Sequence, residues 1–447
     1  MRRFRVYLSL LLVLYGCGSE EGFDTDQIAP RGFLRVVHAI PEAPEISSSL
    51  QIQRLGTLDY GEFSTNIAVL PDINREFNLT YYDGDSVQDL LTDTLHVEID
   101  YLVTVVIAGT MAEPQLIIIE DPSPVIEEGS EDSELLIVHA SSQAPSSIDL
   151  FLTTGDDPPA EPRTQLSHFQ ATEKIVVPPN AAYRLRYAST GTDDILWDSG
   201  EFEIMAQTQG LLLITDHSGP GRHSGRILPL TSQNTLSFPS EELPSAARFA
   251  NMMADAPDEV DFYINDQLTE TGIQFQETGG FHDYASAEII TVKVTETDTP
   301  ENVYLERQIT LNSGNWHTIT IYGPLDDARI ALSLDHFRRI QNRATLSLNN
   351  YSPSLGNLNA YVVPPGENYT DLTPINLILG TSNSGILYAN DYDLTITPAD
   401  SQTIDSGPHP LSMPERGIYR VDITDSSGGG RPSIIVTGDD FTMPSEP

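Results

Sequence analysis

Two histidines stand at equivalent positions in the chain and are the first candidates for chemistry. His38 and His139 each end an apolar segment that leads into a turn closed by Ala-Pro. A histidine there could be a metal ligand or a catalytic base, or it could hydrogen-bond the following turn. A third copy of the pattern has Asn251, whose amide hydrogen-bonds in a similar way but is a poor transition-metal ligand. The sequence therefore favours the hydrogen-bonding role.

A second pair of histidines, His217 and His223, flanks a Ser-Gly-Pro-Gly-Arg segment. Two imidazoles at this spacing could meet over a zinc ion, but the sequence offers no third ligand nearby. The Gly-Pro-Gly composition is typical of a hairpin loop. We therefore predict no metal site and no cofactor.

Acidic residues recur in pairs at segments with turn composition. A calcium ion needs six to eight oxygen ligands, usually gathered by one Gly-containing loop, and no twelve-residue calcium loop is present. The scattered pairs therefore favour solvated turns, with calcium-stiffened repeats as the alternative. The pairs are Asp83 with Asp85, Asp156 with Asp157, Asp193 with Asp194, Asp326 with Asp327, and Asp439 with Asp440.

The other candidates for catalysis are weak. The segment Gly380–Gly385 has the wrong spacing for a Gly-x-Ser-x-Gly nucleophile turn, and no Gly-Lys-Ser/Thr phosphate loop occurs. Trp197 and Trp316 could stack on sugars, but both stand in apolar strand contexts that predict core packing. We predict that the protein is not an enzyme. The alternative is a carbohydrate-active enzyme whose two facing carboxylates lie between repeats.

Charge limits the possible partners. The 447 residues include 23 Lys and Arg against 65 Asp and Glu, a formal net charge of -42. Such a surface repels nucleic-acid phosphates and anionic headgroups, so nucleic acid is not an expected partner. Any attachment to a membrane has to come from something other than a basic patch.

The N-terminus supplies such an attachment. Residues 1–16 combine arginines, an apolar run from Val6 to Tyr15 and a final glycine, which predicts a secretory signal peptide. Cys17, the single cysteine, follows directly, as in the bacterial lipobox, so we predict cleavage before Cys17 and its lipidation. Loss of three arginines takes the net charge to -45. Gly18 in place of aspartate favours the outer membrane, and no disulfide can form within the chain.

The rest of the chain repeats itself. An apolar segment runs into a turn that ends in Pro44, Pro145, Pro257 and, less clearly, Pro353, at spacings of 101, 112 and 96 residues. Each copy then continues with alternating apolar segments separated by turn residues, which predicts about seven strands per repeat. Spacings near 100 residues suit one sandwich per repeat. The fold class predicted is all-β, a tandem array of about four immunoglobulin-like antiparallel β-sandwich domains.

The domain boundaries follow from these patterns. After the signal peptide come a flexible tether at residues 17–31 and repeats at 32–122, 133–232, 245–340 and 342–443. Polar, Pro-containing stretches at 120–134 and 231–245 predict linkers that few contacts cross, so residues 133–232 should fold alone. The last junction is short and basic, with Arg338, Arg339 and Arg343, and predicts rigid docking of repeats three and four.

The strand-His-Ala-x-x-x-Ala-Pro opening resembles the bacterial domain of unknown function family DUF4397. It is carried by Leu34–Pro44 and Leu136–Pro145, each followed by an alternating strand, and the resemblance extends over residues 33 to 440. Members of this family are exported, often as lipoproteins and often with tandem copies. The resemblance implies the fold and the location, and no catalytic residues.

These observations together predict a non-catalytic exported lipoprotein of the cell envelope that serves as a binding or spacer protein. Its expected partners are the membrane, through the lipid anchor, and an unknown protein or glycan ligand. A calcium-stiffened adhesin and a carbohydrate-active enzyme are the alternative functions.

Overall fold

The computed structural model describes residues 30–122, 132–154, 161–179, 181–207, 209–216, 244–255, 259–285 and 288–438, and the backbone alone of 223–229 and 236–239. The regular structure in these ranges consists of strands and two single 3-10 turns. None of the described residues forms a helix long and apolar enough to span a membrane.

The strands fall into four groups along the chain. The first group is β1 Gly32–His38, β2 Ile46–Leu50, β3 Gln53–Leu58, β4 Ile67–Val69, β5 Arg75–Asp83, β6 Ser86–Leu95, β7 Leu102–Gly109 and β8 Pro114–Asp121. The second is β9 Ser133–His139, β10 Ser147–Thr153, β11 Thr164–Ser167, β12 Ile175–Val177, β13 Ala182–Ser189, β14 Ile195–Glu203, β15 Gln209–Asp216, β16 His223–Pro229 and β17 Leu236–Pro239.

The third group is β18 Ser245–Met252, β19 Glu259–Ile264, β20 Gln267–Gln274, β21 Glu277–Thr278, β22 His282–Tyr284, β23 Ile289–Glu296, β24 Thr299–Thr310, β25 Trp316–Tyr322 and β26 Arg329–Leu334, with a 3-10 turn at Leu325–Asp327. The fourth is β27 Arg343–Tyr351, β28 Leu358–Val363, β29 Ile375–Leu377, β30 Ser382–Tyr388, β31 Asn390–Pro398, β32 Ser406–Met413, β33 Ile418–Thr424 and β34 Ser433–Gly438, with a 3-10 turn at Tyr369–Asp371.

Each group folds into two sheets. The first group gives the orders β4-β1-β7-β8 and β3-β2-β5-β6, and the other three groups repeat this plan. A core of aliphatic and aromatic side chains lies between the two sheets of each group, as in Leu34, Phe77 and Val105 of the first. The predicted all-β class with tandem sandwiches is therefore confirmed.

One pairing in each sandwich is parallel, in contrast to the antiparallel sheets that the sequence predicts. β1 pairs with β7, β9 with β15, β18 with β25 and β27 with β33 in parallel, and the other pairings are antiparallel. The paired strands are joined by a long connection through the opposite sheet, which is what a parallel pair requires. This central pair brings the first and the late strand of each repeat side by side.

Consecutive sandwiches share apolar cores, so the prediction that few contacts cross the first linker is wrong. Val37, Val106 and Ala108 of the first sandwich pack with Val138 and Leu213 of the second in one buried cluster. The outer faces of the two central strand pairs supply these side chains. The second sandwich therefore depends on the first for part of its burial.

The third and fourth sandwiches are joined in the same way. Ala250, Met252 and Tyr322 pack with Tyr351 across the interface, with Leu379 and Ile435 partly buried against them. The sequence predicted rigid docking at this junction, and the shared cluster supports it.

The second predicted linker, residues 231–245, includes a strand of the second sandwich. It contains β17, which pairs with β16 at Leu236 opposite Ile227 and extends the sheet of the second sandwich to five strands. The sequence did not predict this strand, because four residues are too few to show an alternating pattern and the residues around them are polar.

Candidate functional site

The histidine of the repeated turn is a hydrogen-bonding residue, as predicted. His38 is fully buried at the end of β1. Its Nδ1 accepts the backbone N–H of Ile40 at 3.2 Å, and its Nε2 lies 3.2 Å from the carbonyl oxygen of Pro44. The ring therefore spans the turn and holds both of its ends. In the second repeat, His139 Nε2 is 2.9 Å from the carbonyl oxygen of Pro145.

Asparagines take the same role in the later repeats. Asn251 Oδ1 accepts the N–H of Met253, as His38 does for Ile40. Asn350 Oδ1 accepts the N–H of Ser352, and its Nδ2 donates to the carbonyl oxygen of Gly356 at 2.7 Å. An amide replaces an imidazole because both can accept and donate along the same turn.

The fourth repeat needs a correction to the sequence alignment. The sequence pattern places Pro353 at the position of Pro44, which implies a shorter turn in the fourth repeat. The carbonyl that Asn350 binds belongs to Gly356, six residues further on, which is the same separation as between His38 and Pro44. The turn has its full length, and Gly356 with a φ of 65° takes the place of the proline. An alignment on the polar residue that ends the strand would have found this equivalence.

The remaining candidates from the sequence do not come together. His217 lies outside the described residues, and only the backbone of His223 is described, at the start of β16. Gly380 occupies a turn with φ 78°, and Gly385 lies in β30. Cys17, with the predicted signal peptide and most of the predicted tether, is also outside the described residues.

Both tryptophans are core residues, which confirms that prediction. Trp197 is 0% exposed and stacks on Tyr187 with ring centroids 5.6 Å apart. Trp316 is 4% exposed and packs between Phe281 at 4.5 Å and Phe337 at 4.9 Å. Neither offers a ring face as a platform for a sugar.

The acidic pairs occupy exposed turns. Asp83 and Asp85 flank the turn between β5 and β6, and Asp193 with Asp194 lies between β13 and β14. Asp326 and Asp327 form the 3-10 turn before β26. The pairs Asp156-Asp157 and Asp439-Asp440 lie outside the described residues. Across the described ranges, no three His, Cys, Asp or Glu side chains come close enough together to hold a metal ion.

These turns lead to a prediction about cations. Sodium and calcium salts at matched ionic strength should raise the melting temperature to a similar extent, because both screen the net charge of -42. A built calcium site would instead saturate and add about 2.7 kcal/mol at 100 times its dissociation constant. Thermal melts in chelator, calcium, magnesium and sodium chloride distinguish the two. A saturable rise specific to calcium would favour the adhesin alternative.

The most concentrated group of buried charges lies where the third and fourth sandwiches meet, a position that the sequence did not single out. Arg420 on β33 donates from Nε to Asp422 Oδ2 at 3.0 Å and from Nη1 to Ser333 Oγ of the third sandwich at 2.8 Å. Its Nη1 also lies 3.6 Å from Asp335. We refer to these residues, together with Arg248, as the interface network.

Arg248 completes the network from the third sandwich. It donates to Asp335 Oδ1 at 3.0 Å and to Thr318 Oγ1 at 2.8 Å, and its guanidinium lies over the Phe281 ring. Burial opposes a positive charge at Arg420, but Asp422, Tyr351 and Asp335 together raise its pKa. Burial lowers the pKa of Arg248. Two buried arginines thus share two aspartates whose side chains are 7% and 1% exposed.

The first pair of sandwiches has an arginine at the position of Arg248, but its contacts differ, because Arg35 Nε donates to Asn66 Oδ1 at 3.0 Å. Arg35 pairs in register with Thr104, as Arg248 does with Thr318, and 213 residues separate the two arginines. Burial lowers the pKa of Arg35 to about 10, against the effect of Asp121. Asp121 forms an ion pair with Lys174 of the second sandwich, with 2.9 Å between Lys174 Nζ and Asp121 Oδ1. An aspartate of one sandwich is therefore again paired with a cation of the next.

The positions that Arg420 and Asp422 occupy in the fourth sandwich hold different residues in the second. Ser347 pairs with Arg420 in the fourth sandwich, and Leu136 pairs with Leu211 at the same place in the second. Leu211 and Leu213 therefore stand where the fourth sandwich has Arg420 and Asp422. One interface is apolar at these two positions and the other is ionic.

A third contact ties the second pair of sandwiches to the first. Arg338, in the segment between β26 and β27, donates to the carbonyl oxygens of Pro41 and Ala43, both at 2.8 Å, and to Asp59 Oδ1 at 2.9 Å. Its guanidinium lies over the Tyr60 ring, 5.0 Å from the centroid. The basic junction noted in the sequence thus binds the turn of the first repeat.

A cleft of about 430 Å³ lies between the third and fourth sandwiches. It is the candidate for the inter-repeat active site that the enzyme alternative requires. Its lining includes two carboxylates, Asp255 and Asp425. Asp425 accepts hydrogen bonds from the hydroxyls of Ser352 and Ser354 and the N–H of Ser354. This aspartate therefore has a structural role in fixing the turn of the fourth repeat.

The fold and the site together define a multidomain β-sandwich protein whose sandwiches are joined in pairs by buried interfaces. Residues 32–150 match the family model of the domain of unknown function DUF4397, so this part of the chain is similar to that family. The match covers the first sandwich and the beginning of the second. For residues 151 to 440 the resemblance stays a prediction.

Three solved structures are similar to the chain at low identity. The Bacillus anthracis TIE protein is 9% identical, with 88% of this chain and 68% of that chain covered and a TM-score of 0.16. Candidate cell adhesion proteins from Bacteroides ovatus and Bacteroides uniformis are 10% and 12% identical. They cover 46% and 45% of this chain and 99% and 98% of their own, with TM-scores of 0.16 and 0.15. TM-scores this low carry no argument about function. No curated protein matches the chain.

Proposed function

We propose that this protein is a non-catalytic lipoprotein of the cell envelope, anchored to the outer membrane, which acts as a rigid binding module. The observation that carries the proposal is the burial of the faces between the first and second sandwiches, by the apolar cluster around Val138 and Leu213, and between the third and fourth, by the interface network. Rigid joints hold the loops of several repeats in a fixed relation. Loops that are already fixed lose little conformational entropy when a ligand binds, so this arrangement favours ligand recognition over a role as a flexible spacer.

The use of the polar candidates supports the non-catalytic half of the proposal. His38, His139 and Asn350 bind the turns that follow their strands, and Asp425 fixes the same turn as Asn350. An enzyme keeps its acid, base or nucleophile free to meet a substrate. Incubation of the full chain with glycan pools, followed by measurement of released reducing ends, tests this directly. Turnover of a glycan by the full chain would establish the enzyme alternative, and saturable binding without turnover is the result we expect.

The anchor gives the clearest prediction about location. Changing Cys17 to serine should abolish incorporation of labelled fatty acid and release the protein from the membrane fraction, because acyl chains supply the attachment. Metabolic labelling and membrane fractionation of cells that express the full chain measure both effects. The matched control is Ser19→Ala, which leaves the thiol in place and should remain acylated. Acylation of the Cys17→Ser protein would show that the lipobox interpretation is wrong.

A further inference from the structure

One end of the first sandwich exposes a group of aliphatic side chains that are not part of its core. Ile52 is fully exposed, and Leu70, Ile73 and Ile99 are 61%, 52% and 44% exposed. We refer to these four residues as the apolar tip. Single exposed aliphatic residues are common on protein surfaces, whereas a group on adjoining turns indicates a contact.

Backbone hydrogen bonds hold the turns of the apolar tip together. The turn that carries Ile52 is bound through the N–H of Gln51 to the carbonyl of Glu76, beside the loop of Leu70 and Ile73. That loop is bound in turn through the N–H of Asp72 to the carbonyl of Val97, two residues before Ile99. The four side chains therefore belong to one end of the sandwich.

The polypeptide enters the first sandwich at this same end. Asp100, next to Ile99, donates its N–H to the carbonyl of Arg31 at 2.9 Å, and β1 begins at the following residue. About 14 residues separate Arg31 from Cys17, and a chain of that length spans at most about 50 Å when fully extended. A lipid on Cys17 therefore keeps the apolar tip near the membrane surface.

Two turns of the third repeat and one of the fourth that correspond to turns of the apolar tip are polar, whereas the second repeat has Met205, 74% exposed, beside Ala206 at the turn of Ile99. The turn of Gln51 and Ile52 corresponds to Asn265 and Asp266 in the third repeat, where the first residue also has positive φ. The turn of Ile99 and Asp100 corresponds to Ser313 with Gly314 and to Glu415 with Arg416, in which the second residue again has positive φ. The fold does not require aliphatic residues at these turns.

We propose that the apolar tip inserts into the lipid surface to which the chain is anchored and sets the orientation of the first sandwich. The proposal rests on the lipid anchor proposed above, because the anchor provides the proximity. Carboxylates of Asp72, Glu98 and Asp100 lie among the tip residues, with Arg31 beside them. This mixture does not select anionic headgroups, so the contact comes from apolar side chains at the interface of a zwitterionic layer.

The test uses the full mature chain with a hexahistidine tag in place of Cys17, bound to phosphatidylcholine vesicles that contain a nickel-chelating lipid. An environment-sensitive dye is attached through Ile52→Cys, which is then the single thiol of the chain. Lipids brominated in the acyl chain should quench this dye at least about threefold more than a dye attached through Asp266→Cys at the corresponding turn. Equal quenching at the two positions would overturn the proposal.

A second variant checks that the apolar side chains cause the contact. Ile73→Asp with Ile99→Asp changes only surface turns and should reduce the quenching at position 52 to the level of position 266, with the melting temperature retained. Unchanged quenching would mean that the tag alone holds the tip at the surface. The anchor is tested separately by acylation of Cys17, so an acylated protein whose tip dye is not quenched would refute the tip proposal alone.

Discussion

Replacing Arg420 with methionine is expected to lower the free energy of unfolding by about 3–5 kcal/mol, because removal of one partner leaves buried charges uncompensated. Arg420 is 4% exposed, and the side chains of Asp335 and Asp422, on either side of the interface, are 7% and 1% exposed. Methionine retains most of the volume of the side chain, so the loss reports charge and hydrogen bonds more than packing. Chemical denaturation of the full chain, followed by tryptophan fluorescence, measures the effect.

Two further variants make this result interpretable. Lys293→Met removes an ion pair in which Asp266 is 87% exposed, and it should leave the free energy of unfolding close to that of the unchanged protein. Arg420→Leu combined with Asp422→Leu installs the leucines of the second sandwich at the equivalent positions. It should recover much of the stability lost in Arg420→Met, because an apolar interface replaces an unpaired carboxylate. A cost below 1 kcal/mol for Arg420→Met would mean that the network does not hold the two sandwiches together.

The second sandwich, isolated as residues 133–232, is expected to be less stable than in a fragment that also contains the first sandwich. Alone, it exposes Val138, Ala140, Leu211 and Leu213, which are at most 1% exposed in the chain. Each of the larger side chains contributes about 1.5–3 kcal/mol on burial, so the loss is about 4 kcal/mol after allowance for a compact unfolded state. The Lys174–Asp121 ion pair is lost as well.

Calorimetry of residues 133–232 and of residues 30–232 provides the comparison. The single sandwich should melt at a lower temperature and bind a dye specific for exposed apolar surface, and the pair should melt in one transition. Leu213→Asp in the pair is the matched variant, since it introduces a charge at the centre of the interface and should reproduce the lower melting temperature. Equal melting temperatures for the single sandwich and the pair would show independent folding.

The strands with strong patterns could be predicted from the sequence. The apolar segment Trp316–Tyr322 coincides with β25, and the segment Ser433–Thr437 coincides with β34 without its last residue. The role of His38 also followed from the sequence, because the copies of one turn showed that an asparagine can replace it. Local patterns were sufficient where a strand or a turn is held by its own neighbours.

The interfaces between sandwiches could not be predicted in the same way. β33 alternates Arg420 and Asp422 with apolar residues, which is the pattern of a strand with one face in water, although the next sandwich covers that face. β15, in contrast, is an uninterrupted apolar run from Leu211 to Ile214, a pattern typical of a strand buried on both faces. The apolar run in β15 therefore indicated an interface in the second repeat, whereas the sequence of β33 contains no such indication.

The pairing of sandwiches also restricts how a chain of this type can grow. Each outer face of a central strand pair is covered by one neighbour, so the first sandwich covers the second and the third covers the fourth. Deletion or addition of a single repeat would leave one such face without a cover, and the exposed strands would favour aggregation. Gain or loss of two repeats at once leaves every face covered. The number of repeats is therefore expected to change in steps of two, so chains with even counts should persist.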